Sequence, residues 1–215
     1  MRCAAGVVPE RGATARDRIP AAFETCYALS GAKEDRVRVK SDEPSTATPP
    51  RAPIASTPAA RSVRPARKDD LDRLIEIARR SWLSAFAQTA PFALIEWWVR
   101  TDRTTELYRE HWPEMFLLED EGIIIGLVQP IDAEINGLWV HPDWQGRGAG
   151  TVLLGMGEDL VGRAGHSVAW LTCSGFNRRA LDFYRRRGYA ETGREREPHP
   201  CGIEVENVRL ERRLP

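Results

Sequence analysis

Apolar positions divide this chain into two unequal parts. Before about residue 61 they show no sustained period; beyond it they return at regular steps. Ser62 to Ala66 predicts a first strand. Leu71, Leu74, Ile75, Ile77, Ala78, Trp82 and Phe86 recur at three- and four-residue intervals, the single apolar stripe of an amphipathic helix, with Asp69 or Asp70 placed to cap it. Pro91 suits the first turn of a second helical stretch, which carries Leu94, Ile95, Trp97 and Trp98 and, later, Leu107, Tyr108 and Trp112. Met115 to Leu118 and Ile123 to Gln129 flank the turn Glu119-Asp120-Glu121-Gly122 and predict a hairpin.

Glu134 to Val140 reads as another strand. A glycine-rich turn then opens into a helix from about Gly148 to Arg163, in which Gly155, Gly157 and Gly162 predict irregularity, since each costs about 1 kcal/mol against alanine. Val168 to Cys173 is a strand, and Asn177 to Arg187 is a helix stopped by Gly188. Tyr189 to Arg213 supplies one or two closing strands, with Ile203, Val205, Val208 and Leu210 as their buried members. The order β-α-α-β-β-β-α-β-α-β defines an α/β fold, a mixed sheet flanked by about four helices.

Residues 1–60 are rich in Ala, Arg, Pro, Ser and Thr, and Ser45 to Pro58 reads as a linker. Such a segment buries too little apolar surface to offset its ordering entropy. The expectation is a disordered extension over 1–60, with at most a short helix around Ile19 to Leu29, followed by one domain over 61–215. Basic and acidic residues balance at 31 each. That balance argues against a protein whose affinity for nucleic acid comes from excess positive charge. The longest strongly apolar run, Gly122 to Val128, is far too short to span a bilayer. No nucleic acid and no membrane is therefore expected as a partner. The first residues lack the apolar run of a secretory signal, so the expected location is cytoplasmic. Cys3, Cys26, Cys173 and Cys201 and the four histidines are dispersed, with no metal-ligand spacing, so no metal is expected.

The segment that carries chemistry is Gln145-Gly146-Arg147-Gly148-Ala149-Gly150-Thr151, between an apolar strand and a helix. Its glycines let backbone approach a ligand closely, and the helix start offers free N–H groups and the positive end of a dipole. Together they can hold a diphosphate without lysine or metal. There is no Gly-Lys-Ser/Thr, and the glycine spacing does not fit the dinucleotide fingerprint.

At these residues the sequence resembles the GNAT superfamily of N-acetyltransferases, whose coenzyme A signature Gln/Arg-x-x-Gly-x-Gly/Ala matches Gln145, Gly148 and Gly150. The preceding Leu138-Trp139-Val140-His141-Pro142-Asp143-Trp144 resembles the strand and loop that introduce the signature. Asn177-Arg178-Arg179-Ala180-Leu181-Asp182-Phe183-Tyr184, followed by Arg187-Gly188-Tyr189, resembles the family's next block. The resemblance covers about residues 62 to 213.

The resemblance implies a GNAT-type fold and acetyl-CoA as co-substrate. Leu138, Trp139 and Val140 would line the cofactor, with backbone of Leu138 and Val140 pairing with the pantetheine arm and the Val140 N–H reaching the thioester oxygen. Gln145, Gly146, Arg147, Gly148, Ala149, Gly150 and Thr151 would cradle the diphosphate, and Asn177 would contact pantetheine or phosphate, or serve as a helix cap. Tyr184, about two helical turns from Asn177, would be the general acid for the departing thiolate. Glu134 would be the base for the attacking amine; strand alternation places it on one face with Asn136, Leu138 and Val140. Cys173 reads as a small core residue, not an acyl carrier. Arg185-Arg186-Arg187 reads as a solvated helix end that complements the dipole, with contact to the nucleotide 3′-phosphate as the alternative. Trp82, Trp97 and Trp98 read as core.

The implied reaction moves an acetyl group to a primary amine, on a small molecule or on a peptide or protein, by direct transfer in a ternary complex. A homodimer is compatible with the family. The rival readings are a non-catalytic acyl-CoA-binding regulatory module and a transferase of a longer acyl group.

Overall fold

The computed structural model describes residues 61–215; the expected extension over 1–60 and the short helix around Ile19 to Leu29 lie outside the described residues. Strand β1 (Ser62–Pro65) leads to helices α1 (Leu71–Phe86), α2 (Phe92–Thr101) and α3 (Arg103–His111). Strands β2 (Phe116–Asp120), β3 (Ile123–Ile131) and β4 (Glu134–Val140) follow, then α4 (Ala149–Arg163), β5 (Val168–Ser174), α5 (Arg178–Arg185), β6 (Ala190–Pro198) and β7 (Glu204–Arg213). The seven strands form one mixed sheet in the order β1-β2-β3-β4-β5-β7-β6. Among the described residues no helix is long and apolar enough to cross a membrane.

The α1 stripe is buried as its spacing predicts: Leu74, Ile75, Ile77, Ala78, Trp82 and Phe86 all face the core. Trp82 also stacks on Trp98 of α2, with ring centroids 4.2 Å apart. The second helical stretch is two helices, not one. Asp102 adopts a left-handed backbone (φ 46°) between them, a conformation short polar residues tolerate best. Arg79 of α1 fixes that break by donating to Asp102 and, at 2.6 Å, to Thr105. The C-terminal region supplies both closing strands, with Val205, Val208 and Leu210 buried and Ile203 half-buried.

Helix α4 runs unbroken despite its glycines. Gly157 has a packing reason: a Cβ there would lie 2.8 Å from Ile135 Cδ1 and 3.1 Å from Val128 Cγ2. The helix therefore seats closely on β3 and β4. Gly126 of β3 serves the same contact, since its Cβ would lie 2.6 Å from the Trp139 carbonyl and 2.8 Å from Leu153 Cδ1.

These contacts also fix the faces of β4. Val128 and Ile135 point to α4, and Leu138, opposite Val128, shares that side. The β3–β4 register shifts between Gln129 and Pro130: Gln129 lies opposite Gly137, whereas Pro130 lies opposite Ile135. Asn136 is the extra residue, a β-bulge. Strict alternation therefore fails along β4. Glu134, next to Ile135, faces away from α4, and Asn136 donates to Gln129 on that same far side. The expectation that Glu134 and Asn136 share a face with Leu138 and Val140 is corrected by this bulge.

Strand β4 is parallel to β5, and their register is confined to Glu134 opposite Trp170, with Trp170 N–H donating to the Ala133 carbonyl. Beyond that point the two strands part. At the edge, Arg64 of β1 forks onto both Asp70 oxygens (2.7 and 2.9 Å) and reaches Glu119 of β2 at 2.8 Å. The Arg64 guanidinium holds the Asp70 carboxyl below the ordinary carboxylate range.

Two stability tests follow from this packing. Gly155→Ala, where a Cβ meets nothing within 4 Å, should raise the free energy of unfolding by up to about 1 kcal/mol; Gly126→Ala should lower it by about 1–3 kcal/mol. Equal effects of the two would contradict the close seating of α4. Because Asp70 has a lowered folded pKa, the Arg64 pair contributes its stability above the unfolded value near 3.9 and loses it as pH falls through the folded value. The melting-temperature deficit of Arg64→Gln should thus shrink in acid; a deficit unchanged between about pH 7 and pH 2 would count against the pair.

Candidate functional site

The site begins where β4 leaves β5. The His141 N–H donates to the Ile125 carbonyl of β3 at 2.8 Å. Backbone direction alternates along a strand, so the Val140 N–H and C=O point the other way, into the gap beside β5. The Val140 carbonyl is fixed there by two donors: Ser81 Oγ of α1 at 2.7 Å and Gln145 Nε2 at 2.9 Å. Ser81 is fully buried and Gln145 nearly so. The signature glutamine thus clamps the strand exit with its amide nitrogen. Its Oε1 is buried without a hydrogen-bond partner.

The loop then turns twice through left-handed glycines, Gly146 (φ 72°) and Gly148 (φ 84°), conformations that a side chain would strain. A Cβ at Gly146 would meet nothing within 4 Å, so the backbone is bare toward solvent. Gly148 caps α4, and its carbonyl accepts from the N–H groups of Thr151 and Val152. The preceding N–H groups of the first turn have no helical acceptor and form the positive pole of α4. Arg61 braces the outer side of the loop, donating to the Arg147 carbonyl at 2.8 Å and to Asp120 at 2.9 Å. The Arg147 guanidinium lies over Trp144, 5.5 Å from the ring centroid.

Helix α5 forms the opposite wall. Asn177 caps it, with Oδ1 accepting from the Ala180 N–H at 3.0 Å. Arg179, Phe183 and Arg186 recur at helical spacing and, with Arg187, face the glycine loop across a cleft of about 210 Å³. Arg187 lies 3.6 Å over the Phe183 ring and donates to Thr151 Oγ1. Tyr184 points inward from the same helix and is fully buried, edge-on to Phe183 and Tyr189. Burial pushes its phenol well above the ordinary value, so it keeps its proton throughout the physiological range.

The structure gathers the loop from Gln145 to Thr151 and helix α5 around one cleft, and the buried Val140 is tied to that loop through Gln145. Leu138 lies one pleat back on β4, buried against α4, and Trp139 is buried on the other face. Ala149 and Gly150 are buried in the first turn of α4, with Gly150 and Thr151 on the cleft. Asn177 sits at the start of α5 and Tyr184 beneath its inner face. Glu134 is not on this cleft: it is half-buried at the far end of β4, about 20 Å from Val140 at strand rise. Cys173 is buried on β5 opposite Val208. Sequence reasoning passed over Ser81, Arg179 and Phe183, and read Arg186 and Arg187 as part of a solvated helix end. The helical period of Arg179, Phe183 and Arg186 was the available signal; for Ser81, within an apolar stripe, there was none. No three His, Cys, Asp or Glu residues are grouped to hold a metal among the described residues.

A strand that parts from a parallel neighbour, followed by a glycine turn and a helix start, defines an acyl-coenzyme A transferase type of fold. Residues 71–189 match the model of the acetyltransferase (GNAT) family, and the chain belongs to that family. It is 28% identical over 137 residues to an uncharacterised N-acetyltransferase of Methanocaldococcus jannaschii, covering 60% of this chain and 61% of that relative, so it spans about three-fifths of the relative's length. Among solved structures it resembles a GCN5-related N-acetyltransferase of Rhodopseudomonas palustris (TM-score 0.60, 23% identity, 74% of this chain and 97% of that one). It also resembles the PaiA N-acetyltransferase of Thermoplasma acidophilum in complex with coenzyme A (TM-score 0.57, 20% identity, 72% and 99%). At these identities the structural likeness establishes the fold.

The double clamp on Val140 makes a non-additive prediction. Ser81→Ala or Gln145→Ala alone leaves the carbonyl one donor and should cost about 1 kcal/mol of stability. The double variant orphans a buried acceptor and should cost more than the sum of the two. Additive losses in chemical denaturation would show that the two side chains do not share this carbonyl.

Proposed function

We propose that residues 61–215 form an acetyl-CoA-dependent N-acetyltransferase domain that moves the acetyl group to a primary amine by direct transfer in a ternary complex. The observation that carries the reading is the bare, left-handed glycine turn at the positive end of α4, set beside the gap into which the Val140 N–H points. The coenzyme A complex of the Thermoplasma relative supports the choice of co-substrate. The donor set fits: main-chain amides and arginines for phosphate, and the orphaned Gln145 Oε1 as an acceptor for an amide or water N–H or O–H.

In this reading Gly146, Arg147, Gly148, Ala149, Gly150 and Thr151 hold the diphosphate through backbone N–H groups. Leu138 and Val140 offer edge groups of β4 to an extended amide chain, as an added strand does. A backbone N–H in the gap polarises the thioester carbonyl without reorganisation, because Ser81 and Gln145 already fix the peptide beyond it. Asn177 orients α5 through its cap. Tyr184 donates a hydrogen bond to the departing thiolate. Burial makes the phenol a weaker acid, so it stays protonated and available as a hydrogen-bond donor.

Glu134 removes the ammonium proton. Its place about 20 Å from Val140 at strand rise, on the face away from α4, means the proton reaches it through a chain of several waters and not by direct contact. The acceptor is a small amine or an amine of a peptide or protein.

Tyr184→Phe should lower kcat by about a hundredfold or more while leaving the calorimetric affinity for acetyl-CoA within about twofold, and Glu134→Gln should do the same with a loss that eases at high pH. Thiol release from acetyl-CoA in the presence of an amine panel reads both. Tight binding with no release for any amine, peptide or protein acceptor would favour the non-catalytic binding module; an unchanged rate in Tyr184→Phe would remove that residue from the mechanism.

A further inference from the structure

The turn between β6 and β7 contributes no residue to the coenzyme cleft, yet it holds a nucleophile beside a base. Cys201 Sγ lies 2.8 Å from His199 Nδ1. The backbone fixes both residues. His199 N–H donates to the Ile203 carbonyl at 2.7 Å, and Gly202 N–H donates to the His199 carbonyl at 2.9 Å. Gly202 is left-handed (φ 87°), a conformation that a side chain would strain. Cys201 is half-buried, so reagents can reach it, whereas His199 is buried.

One contact settles where the protons are. The Cys201 backbone N–H also reaches His199 Nδ1, at 3.0 Å, and an amide N–H can only donate. Nδ1 therefore carries the lone pair, and the ring proton sits on Nε2. The thiol meets Nδ1 as a second donor. Burial holds the imidazole below its ordinary value, so the ring is neutral at neutral pH and its lone pair is open to a proton. Trp97 of α2 packs against the ring edge-on, with centroids 4.6 Å apart and planes at 84°. A sulfur nucleophile, a base within its reach and a third group that orients the base together activate a thiol. Acetyl transfer leaves this pair unused, since its base and acid are Glu134 and Tyr184.

We infer that Cys201 is a thiol-modification site for low-molecular-weight disulfides, with His199 as its proton acceptor. The Cys201 sulfur attacks one sulfur of the disulfide while its proton passes to His199 Nδ1. A new S–S bond forms and the old one breaks. The departing thiolate then takes the proton from the imidazolium and leaves as a thiol. Cys201 is oxidised and the released half of the reagent is reduced, so no further electron acceptor is needed. The added group removes the S–H donor from Nδ1 and sets bulk against a ring that packs on α2. Modification thereby loosens the β6–β7 turn from α2. None of this chemistry depends on the coenzyme cleft.

The test treats the full chain with dithiodipyridine, in wild type, His199→Asn and Cys201→Ser, and peptide mapping by mass separates Cys201 from the other cysteines. His199→Asn keeps a side-chain acceptor for the Cys201 N–H but takes up no proton. At about pH 7, Cys201 should react about three- to tenfold faster in wild type than in His199→Asn. The wild-type rate should stay nearly flat from about pH 8 down to about 6.5, whereas the variant's should fall about tenfold per pH unit below about 8.5. Cys201→Ser should lose the fast phase, and labelled wild type should exchange the amides of α2 faster than unlabelled protein, with β3 unchanged. Equal rates and pH profiles in wild type and His199→Asn would overturn the assignment of His199. A wild-type profile that follows simple thiol titration would do so without any variant. A fast phase that survives in Cys201→Ser would overturn the site, and unchanged α2 exchange after labelling would overturn the coupling to α2.

Discussion

The site depends on β4 abandoning β5 after a single pairing. A parallel strand buried in a sheet normally spends its backbone groups on both neighbours. Here the C-terminal half of β4 keeps β3 on one side and leaves its other edge open, at a place where unsatisfied N–H and C=O groups would be costly. The molecule solves half of that problem internally. Ser81 and Gln145 satisfy the Val140 carbonyl from two different elements. The N–H groups on the same edge remain for a ligand. The bulge at Asn136 belongs to the same device, since an extra residue in β4 changes the backbone direction between the half that meets β5 and the half that faces the gap.

Charge follows geometry. The bare glycine turn and the first turn of α4 provide dipolar, orientation-specific donors, while α5 contributes full charges from across a narrow cleft. Phe183 holds Arg187 in place beside the glycine turn. The chain's zero formal balance hides this local asymmetry, while many arginines elsewhere are engaged in salt bridges, as at Arg64, Arg194 and Arg212.

Much of this was legible in the sequence because it was local. The α1 stripe, the β2–β3 hairpin, the glycine turn and the Asn177 cap are set by neighbours in the chain, and each appears where its spacing predicts. What escaped was non-local. The break at Asp102 depends on Arg79 arriving from α1. The regularity of α4 depends on Ile135 and Val128, against which a side chain at Gly157 would collide. The face of Glu134 depends on a bulge that only pairing with β3 reveals, and Arg187 reads as solvent-facing until Thr151 of the loop meets it.

Amide hydrogen exchange of the full chain, with and without acetyl-CoA, tests the main-chain grip most directly. Binding should slow exchange at Gly146, Arg147, Gly148, Ala149, Gly150 and Thr151 and at Leu138 and Val140 of β4, with little change in the β6–β7 ladder. Saturation with acetyl-CoA that leaves those amides exchanging at their free rates would contradict the account.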